Sequence, residues 1–258
     1  MIDILNNSNN EFATNWEEVT LPSLGKIYDP PIDPHMRLRS MTTMEEMRRL
    51  SPTETPYKIM CDIIEDCMDK KPPIKVCDMS IGDYQYLLHR LRIVTYTNKY
   101  KMLVTCPKCG NTEEREVDLD SLKVNEWNEG ISADRLITLP LSKKQIELRF
   151  QTPHDIDLIN YRAKEAKKAS KKNLDYSVLF TLMSLINKVD GQYYNEEELR
   201  NFVSNMPMRD ANYIWAKSNE LTKKVGIDNV FNVTCTQCGF EVKAPFRNSS
   251  EFLGPTED

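Results

Sequence analysis

The sequence predicts an α+β protein, mostly helical, that combines two cysteine hairpins remote from each other with an extended N-terminal arm. Apolar residues recur at helical spacing through much of residues 41–228. Residues 1–40 instead carry polar residues and prolines. Two Cys-x-x-Cys-Gly motifs, in VTCPKCGN at 104–111 and VTCTQCGF at 233–240, each lie between strand-like residues.

The composition is typical of a soluble folded protein made in a reducing compartment. The net charge of −5 disfavours a general nucleic-acid binder, which would carry a basic surface. No apolar run is long enough to span a bilayer, and the N-terminus lacks the features of a signal peptide. With seven cysteines and no secretion signal, a metal site or buried thiols are favoured over a disulfide framework.

The first 40 residues are predicted to form an extended arm. Pro22, Pro30, Pro31 and Pro34 fix their own φ angles and disfavour helix at the residues before them. The apolar residues of the arm need a surface, which belongs either to the protein itself or to a partner. These apolar residues are Val19, Leu21, Leu24, Ile27 and Tyr28.

Residues 41–100 are predicted to form a helical region with three helices. Thr43 and Glu46 fit a capping box, in which two side chains satisfy backbone N–H groups, so the first helix is expected to start there. The second and third helices are expected to start at Pro56, which suits a first helical turn, and at Ser80.

The rest of the chain is predicted to contain two hairpins separated by a mostly helical insertion. The predicted bounds are 101–120 for the first hairpin, 121–228 for the insertion, and 229–258 for the second hairpin with the C-terminal tail. Within the insertion, Thr152 opens a long helix, and a buried helix is expected from Leu174 to Val189. Asn195 and Asp210 are expected to open the last two helices.

The two Cys-x-x-Cys motifs together offer four ligands for one structural metal ion. Two residues between the cysteines let one tight turn, here called a knuckle, direct both sulfurs at the same ion. One knuckle supplies two ligands, whereas structural zinc takes four in a tetrahedron. The long insertion costs little, because loop-closure entropy grows only logarithmically with length. The sequence therefore predicts that Cys106, Cys109, Cys235 and Cys238 bind one zinc ion. The two knuckles would then form a discontinuous zinc ribbon.

Other cysteine chemistries fit this pattern less well. A thioredoxin-like redox pair lies at the start of a helix, and neither knuckle opens one. An iron–sulfur cluster also takes four cysteines, but nothing else in the sequence indicates electron transfer. Zinc is therefore favoured, and iron remains the alternative metal.

No catalytic arrangement emerges, so an enzyme is not expected. His35, His89 and His154 are scattered, and His89 lies beside the apolar face of the third predicted helix. The sequence lacks both a phosphate-binding GxxxxGK loop and a GxSxG nucleophile motif. The lysine-rich run 164–172 fits a solvated helix face or a patch for an acidic partner.

Both ends of the chain carry a resemblance to a known family. In LPSLGKIYDPP and the helix entry after it, the matching residues are Leu21, Pro22, Ser23, Gly25, Tyr28, Met41, Thr42, Glu45 and Glu46. At the other end, CTQCGFEVKAPFRNSSEFLGP joins a knuckle, a strand and a tail that contains Phe252. These segments resemble the baseplate hub subunit and hub-assembly protein family of T-even-type contractile-tailed bacteriophages.

The resemblance implies a non-enzymatic structural or assembly protein of the baseplate hub, which binds other baseplate or tail proteins. Its expected location is the virion tail or, during assembly, the host cytoplasm, with no membrane or nucleic-acid partner; self-association within the assembly is compatible with this role. Leu24 and Tyr28 are the expected anchors of the arm, because a few anchors often dominate an interface. The predicted partner-binding residues are Leu21, Pro22, Leu24, Gly25 and Tyr28.

The competing function is a zinc-ribbon module that binds nucleic acid, as in a phage transcription or replication factor. Lys101, Lys108 and Arg115 around the first knuckle favour it. Glu113, Glu114, Glu116 and the net charge of −5 favour the structural role instead.

Overall fold

The computed structural model describes residues 15–170, 174–246 and 252–254. Helices account for 41% and strands for 22% of the residues, so the α+β prediction is confirmed, whereas a mostly helical chain is not. The helices are α1 (Thr43–Arg49), α2 (Pro56–Asp66), α3 (Ile81–Thr95), α4 (Gly130–Asp134), α5 (Pro153–Ala169), α6 (Ser177–Leu185), α7 (Glu196–Ser204) and α8 (Met208–Thr222). The strands are β1 (Trp16–Thr20), β2 (His35–Arg39), β3 (Lys99–Thr105), β4 (Thr112–Asp118), β5 (Val124–Asn125), β6 (Leu136–Thr138), β7 (Gln145–Leu148), β8 (Ile186–Val189), β9 (Gly226–Ile227), β10 (Val230–Thr234) and β11 (Glu241–Pro245).

Residues 16–39 form a β-hairpin that packs on the chain's own core. Strand β1 pairs antiparallel with β2, and the N–H of Leu21 donates to the carbonyl of Pro34 at 2.9 Å. Leu21 and Leu38 are completely buried. Of the two surfaces that the sequence allows for this segment, the structure uses the protein's own. Residues 1–14 of the predicted arm lie outside the described residues.

Local sequence signals, two capping side chains and one proline, set the starts of the three N-terminal helices. The first helix starts at a capping box one residue before the predicted pair, since Thr42 is the N-cap and its N–H donates to the Glu45 carboxylate at 2.6 Å. The predicted starts of α2 and α3, at Pro56 and Ser80, are confirmed. Because these signals involve only neighbouring residues, the helix starts can be predicted from the sequence alone.

The two cysteine hairpins, β3–β4 and β10–β11, form separate two-stranded antiparallel sheets. Each sends alternate side chains inward, because successive residues of a strand point to opposite faces. Val104 and Val117 are buried on the first hairpin, and Val233 and Val242 on the second. All four belong to one hydrophobic core that also includes residues of β1, β2, α2 and α3.

The segment between the hairpins contains a hydrophobic core of its own. Strands β6, β7 and β8 form an antiparallel sheet in that order, and its central strand buries Ile146 and Leu148 completely. These residues pack with apolar residues of helices α5 to α8. No helix in the described part of the chain combines the length and the apolar character that crossing a bilayer requires.

Two predictions within this segment are wrong. The expected helix from Leu174 to Val189 ends at Leu185, and the last four residues form β8 along β7. Asp210 does not open α8, whose N-cap is Pro207. The carboxylate of Asp210 instead accepts the backbone N–H groups of Leu141 and Ser142, at 2.8 and 2.9 Å. In both cases a contact remote in sequence determines the structure.

A close backbone crossing joins the base of this segment to α3. Strand β5 pairs with β9, and Gly226 in β9 adopts a φ of +127° and lies against Gly82. A Cβ atom at Gly82 would lie 2.2 Å from the carbonyl oxygen of Val225. The two chain segments can therefore approach this closely only because both positions lack a side chain.

Candidate metal centre

The four predicted ligands come together in the structure. The Sγ atoms of Cys106 and Cys238 lie 3.7 Å apart, and so do those of Cys109 and Cys235. All four sulfurs lie within 4.8 Å of one another. A tetrahedron with Zn–S distances of about 2.3 Å has S–S edges of about 3.8 Å, whereas a disulfide bond measures about 2.05 Å. The sulfur positions fit a four-coordinate metal ion and do not fit disulfides.

The two knuckles have the same backbone geometry. In the first, the N–H of Gly110 donates to the carbonyl of Cys106 at 2.9 Å, and in the second Gly239 donates to Cys235 at 3.0 Å. Both glycines adopt the left-handed conformation, with φ of +74° and +69°, which glycine reaches without the steric penalty of a side chain. The repeated Cys-x-x-Cys-Gly pattern therefore encodes two equivalent turns that each direct two sulfurs to one point.

The tetrad lies at the ends of the two hairpins, where the core meets solvent. Cys106 and Cys235 are buried, Cys238 is half-buried and Cys109 is exposed. Each buried cysteine follows a strand whose inward valine belongs to the core: Val104 in β3 and Val233 in β10. A bound ion would thus join two hairpins whose positions are already set by packing.

The surroundings of the two cysteines in the first knuckle shift their pKa values in opposite directions. Burial raises the pKa of Cys106, but backbone N–H groups of Cys109 and Lys108 outweigh it and lower that pKa to about 7. For Cys109, a backbone hydrogen bond from Asn111 lowers the pKa, yet desolvation and the neighbouring thiols raise it to about 12. Since like charges disfavour further ionisation, four thiolates at this spacing require a cation, and metal binding would release protons.

Two contacts outside the tetrad also join the knuckles. The carboxylate of Glu113 in β4 accepts the backbone N–H of Thr236 at 3.2 Å and also its hydroxyl proton. The ammonium group of Lys108 lies 5.9 Å from the centre of the Phe240 ring, in a cation–π contact. Sequence reasoning missed Glu113, and no local signal identifies it, because its partner lies in the other hairpin.

The arrangement is suited to a structural role. Four cysteine ligands complete the tetrahedral coordination of zinc and leave no position open for a substrate. Glu113 holds the second knuckle by its backbone, as partners outside the ligand set commonly do in metal sites. Iron coordinated by four thiolates has the same ligand set, so the four cysteines could hold either element.

The predicted partner-binding residues lie in the turn after β1. Leu21, Pro22 and Gly25 are buried, whereas Leu24 and Tyr28 are half-buried. Leu21 belongs to the chain's own hydrophobic core, and of these five residues only Leu24 and Tyr28 are not fully buried. Binding of a partner by these residues stays a prediction.

Comparison with known proteins identifies one family. Residues 14–254 match the family described as T4 bacteriophage base plate protein. The searches of curated proteins and of solved structures gave no significant match. The matched residues include the N-terminal hairpin, both knuckles and the segment between them. The chain therefore belongs to the T4 bacteriophage base plate protein family.

Proposed function

We propose that this chain is a non-enzymatic structural or assembly protein of the hub region of a phage contractile-tail baseplate, acting through protein–protein contacts. The observation that carries this role is the family match over residues 14–254. Members of an assembly of this kind work by binding their neighbours, so we expect other baseplate or tail proteins as partners.

One zinc ion is proposed to stabilise the scaffold. The four Sγ atoms within 4.8 Å of one another support it, because their spacing matches a zinc tetrahedron. The ion would join two hairpins remote in sequence and so close the segment between them at its base. Its contribution would be to folding, since structural zinc sites add binding free energy to the folded state.

Zinc content tests the scaffold proposal. Elemental analysis of the purified chain should find about one zinc ion per chain, and the double variant Cys109→Ser, Cys235→Ser should lose it. Cys67→Ser is the matched control, because Cys67 is buried outside the tetrad and contacts Arg39 Nη1 through its sulfur at 3.6 Å. Full zinc content in the double variant would refute the shared site, and iron in place of zinc would correct the element.

Affinity purification from infected cells tests the hub role. The tagged chain should retain identified baseplate hub proteins, and at least one of them should bind the purified chain directly. Recovery of other virion proteins without any hub component would contradict the hub assignment. Salt-dependent binding of the purified chain to DNA would instead favour the nucleic-acid alternative.

The contribution of the turn after β1 can be tested at Leu24. Leu24→Ala removes a half-buried side chain and should weaken binding of the hub partner without loss of folding. Leu136→Ala is the control, since Leu136 is an exposed leucine outside this turn, in strand β6. Equal binding by both variants would show that this turn is not the docking element.

A further inference from the structure

Two sulfur pairs across the candidate metal centre each join one knuckle to the other. The Sγ atom of Cys106 lies 3.7 Å from that of Cys238, and the Sγ atom of Cys109 lies 3.7 Å from that of Cys235. Within each pair the exposure differs, since Cys109 is exposed and Cys238 half-buried, whereas Cys235 and Cys106 are buried. Each pair therefore combines a thiol that solvent reaches with a buried thiol of the other hairpin.

Contacts that do not involve the sulfurs hold these pairs together. The Glu113 carboxylate of the first hairpin accepts the N–H of Thr236 in the second at 3.2 Å. Val104 and Val233, each two residues before a buried cysteine, belong to the same hydrophobic core. The ends of the two hairpins are therefore expected to stay adjacent in the metal-free chain.

We propose that the metal-free tetrad forms two disulfide bonds between the knuckles, Cys106–Cys238 and Cys109–Cys235, when it meets a small-molecule disulfide such as oxidised glutathione. A disulfide bond is about 2.05 Å long, so each pair of sulfurs must approach by about 1.7 Å from its separation of 3.7 Å. The bonds would close the segment between the hairpins at its base in place of a metal ion. Bonds within a knuckle would instead leave the two hairpins unlinked.

Each bond forms in two exchange steps. In the first step Cys238 gives its proton to solvent and attacks one sulfur of oxidised glutathione, so that a Cys238–glutathione bond forms and one glutathione leaves as a thiolate. In the second step Cys106 loses its proton and attacks the Cys238 sulfur, which releases the second glutathione as a thiolate. Cys109 and Cys235 react in the same order. For each bond two protein thiols lose two electrons, and one glutathione disulfide is reduced to two glutathione molecules.

Bonds between the knuckles would stabilise the fold by restricting the unfolded chain. The paired cysteines are 132 and 126 residues apart in the sequence. A crosslink that closes a long loop removes more entropy from the unfolded chain than one that closes a short loop, as a bond within a knuckle would. We therefore expect oxidation to raise the Tm of the metal-free chain by about 10 °C, and reduction to reverse the rise.

Tryptic peptides distinguish the two kinds of bond. Trypsin cleaves between the cysteines of the first knuckle, which places Cys106 in residues 102–108 and Cys109 in residues 109–115. The second knuckle stays whole in residues 225–243. A bond between the knuckles therefore links the third peptide to one of the first two, whereas a bond within the first knuckle links those two to each other.

Peptide mapping of the full chain tests the proposal. The chain is incubated with oxidised glutathione in excess chelator, its remaining thiols are alkylated, and unreduced peptides are identified by mass spectrometry. We expect the peptide 225–243 to be linked to both 102–108 and 109–115. An unlinked 225–243 together with a bond between 102–108 and 109–115 would overturn the proposal, and so would an oxidised chain that melts no higher than the reduced one.

Double variants assign the partners. Cys106→Ser, Cys238→Ser keeps one proposed pair and should link 109–115 to 225–243, and Cys109→Ser, Cys235→Ser keeps the other and should link 102–108 to 225–243. Cys106→Ser, Cys235→Ser keeps one cysteine of each pair and should crosslink more slowly than both.

An equal rate in this mismatched variant, or a glutathione adduct that persists in either matched variant, would refute the assigned pairs. The unchanged chain still distinguishes bonds between knuckles from bonds within them where a variant fails to fold. Because the chelator keeps the chain free of metal, the result does not depend on whether the site binds zinc or iron, or on a hub partner.

Discussion

The hydroxyl of Tyr28 donates to Oδ2 of Asp83 at 2.5 Å and so joins the turn after β1 to the first turn of α3. Asp83 is completely buried and also accepts the N–H of Ser23 at 3.0 Å. The Tyr28 oxygen in turn accepts the N–H of Ser80 at 3.1 Å. Burial and the Asp83 carboxylate raise the pKa of Tyr28, which keeps the hydroxyl protonated. The LPSLGKIY segment is thus fixed to α3 by a buried hydrogen-bond network.

Tyr28→Phe should destabilise the chain by about 2 kcal/mol, because it leaves a buried carboxylate oxygen and the Ser80 N–H without a partner. The free energy of unfolding is measured by chemical denaturation. Tyr161→Phe is the control, since Tyr161 is exposed on α5, and it should change stability by less than about 0.5 kcal/mol. Equal stability of the two variants would show that the network contributes nothing to folding.

The crossing of Gly82 and Gly226 gives a second prediction. Gly82→Ala should destabilise the chain by about 3 kcal/mol, because the new methyl group would meet the backbone carbonyl of Val225, which cannot rotate away. Gly130→Ala in α4 is the matched helical control, where the new methyl would meet only the Asn128 side chain at 3.1 Å. Thermal unfolding of both variants checks this, and a Gly82→Ala protein as stable as the control would contradict the close approach.

Sequence reasoning succeeded where the determining contact is local. The helix starts at Pro56, Ser80, Thr152 and Asn195 depend on residues within one turn. The paired knuckles could also be anticipated, because the same short pattern occurs twice and zinc needs four ligands.

It failed where a remote partner determines the outcome. The apolar stretch that ends at Val189 has no periodicity that separates a buried helix from a buried strand, and pairing with β7 makes its last residues β8. In the sequence Asp210 resembles a helix-opening residue. In the structure its carboxylate instead accepts the backbone N–H groups of Leu141 and Ser142. In the sequence Glu113 is only one of three glutamates that count against nucleic-acid binding, and its contact with Thr236 forms only when the two hairpins meet.

We expect His89 to make the stability of the fold depend on pH. It is 2% exposed, packs against Phe246 and Phe252, and burial lowers its pKa from 6.5 to about 4. Because the folded-state pKa is depressed, the unfolded chain binds the proton first as pH falls below 6.5. The free energy of unfolding should therefore fall between pH 6.5 and about 4, by about 3 kcal/mol from this group.

Replacement of His89 by phenylalanine should remove this part of the acid sensitivity. His89→Phe is expected to show a free energy of unfolding that falls less than that of the unchanged chain between pH 6.5 and 4. His154→Gln, at an exposed position of α5, should leave the slope unchanged. Both are measured in excess chelator, so that protonation of metal ligands does not contribute. Identical slopes for His89→Phe and the unchanged chain would rule out a buried, neutral His89.

The contact between Glu113 and Thr236 should tune metal affinity, given the proposed zinc site. Glu113→Gln keeps all four cysteines but removes the charged acceptor that orients the second knuckle. We expect zinc affinity to fall by about 10-fold, as for other partners outside the ligand set. Competition with a chromophoric chelator measures this directly. Glu114→Gln, on the exposed face of the same strand, should bind zinc as the unchanged chain does. Equal zinc affinity of the two variants would show that Glu113 does not act on the metal site.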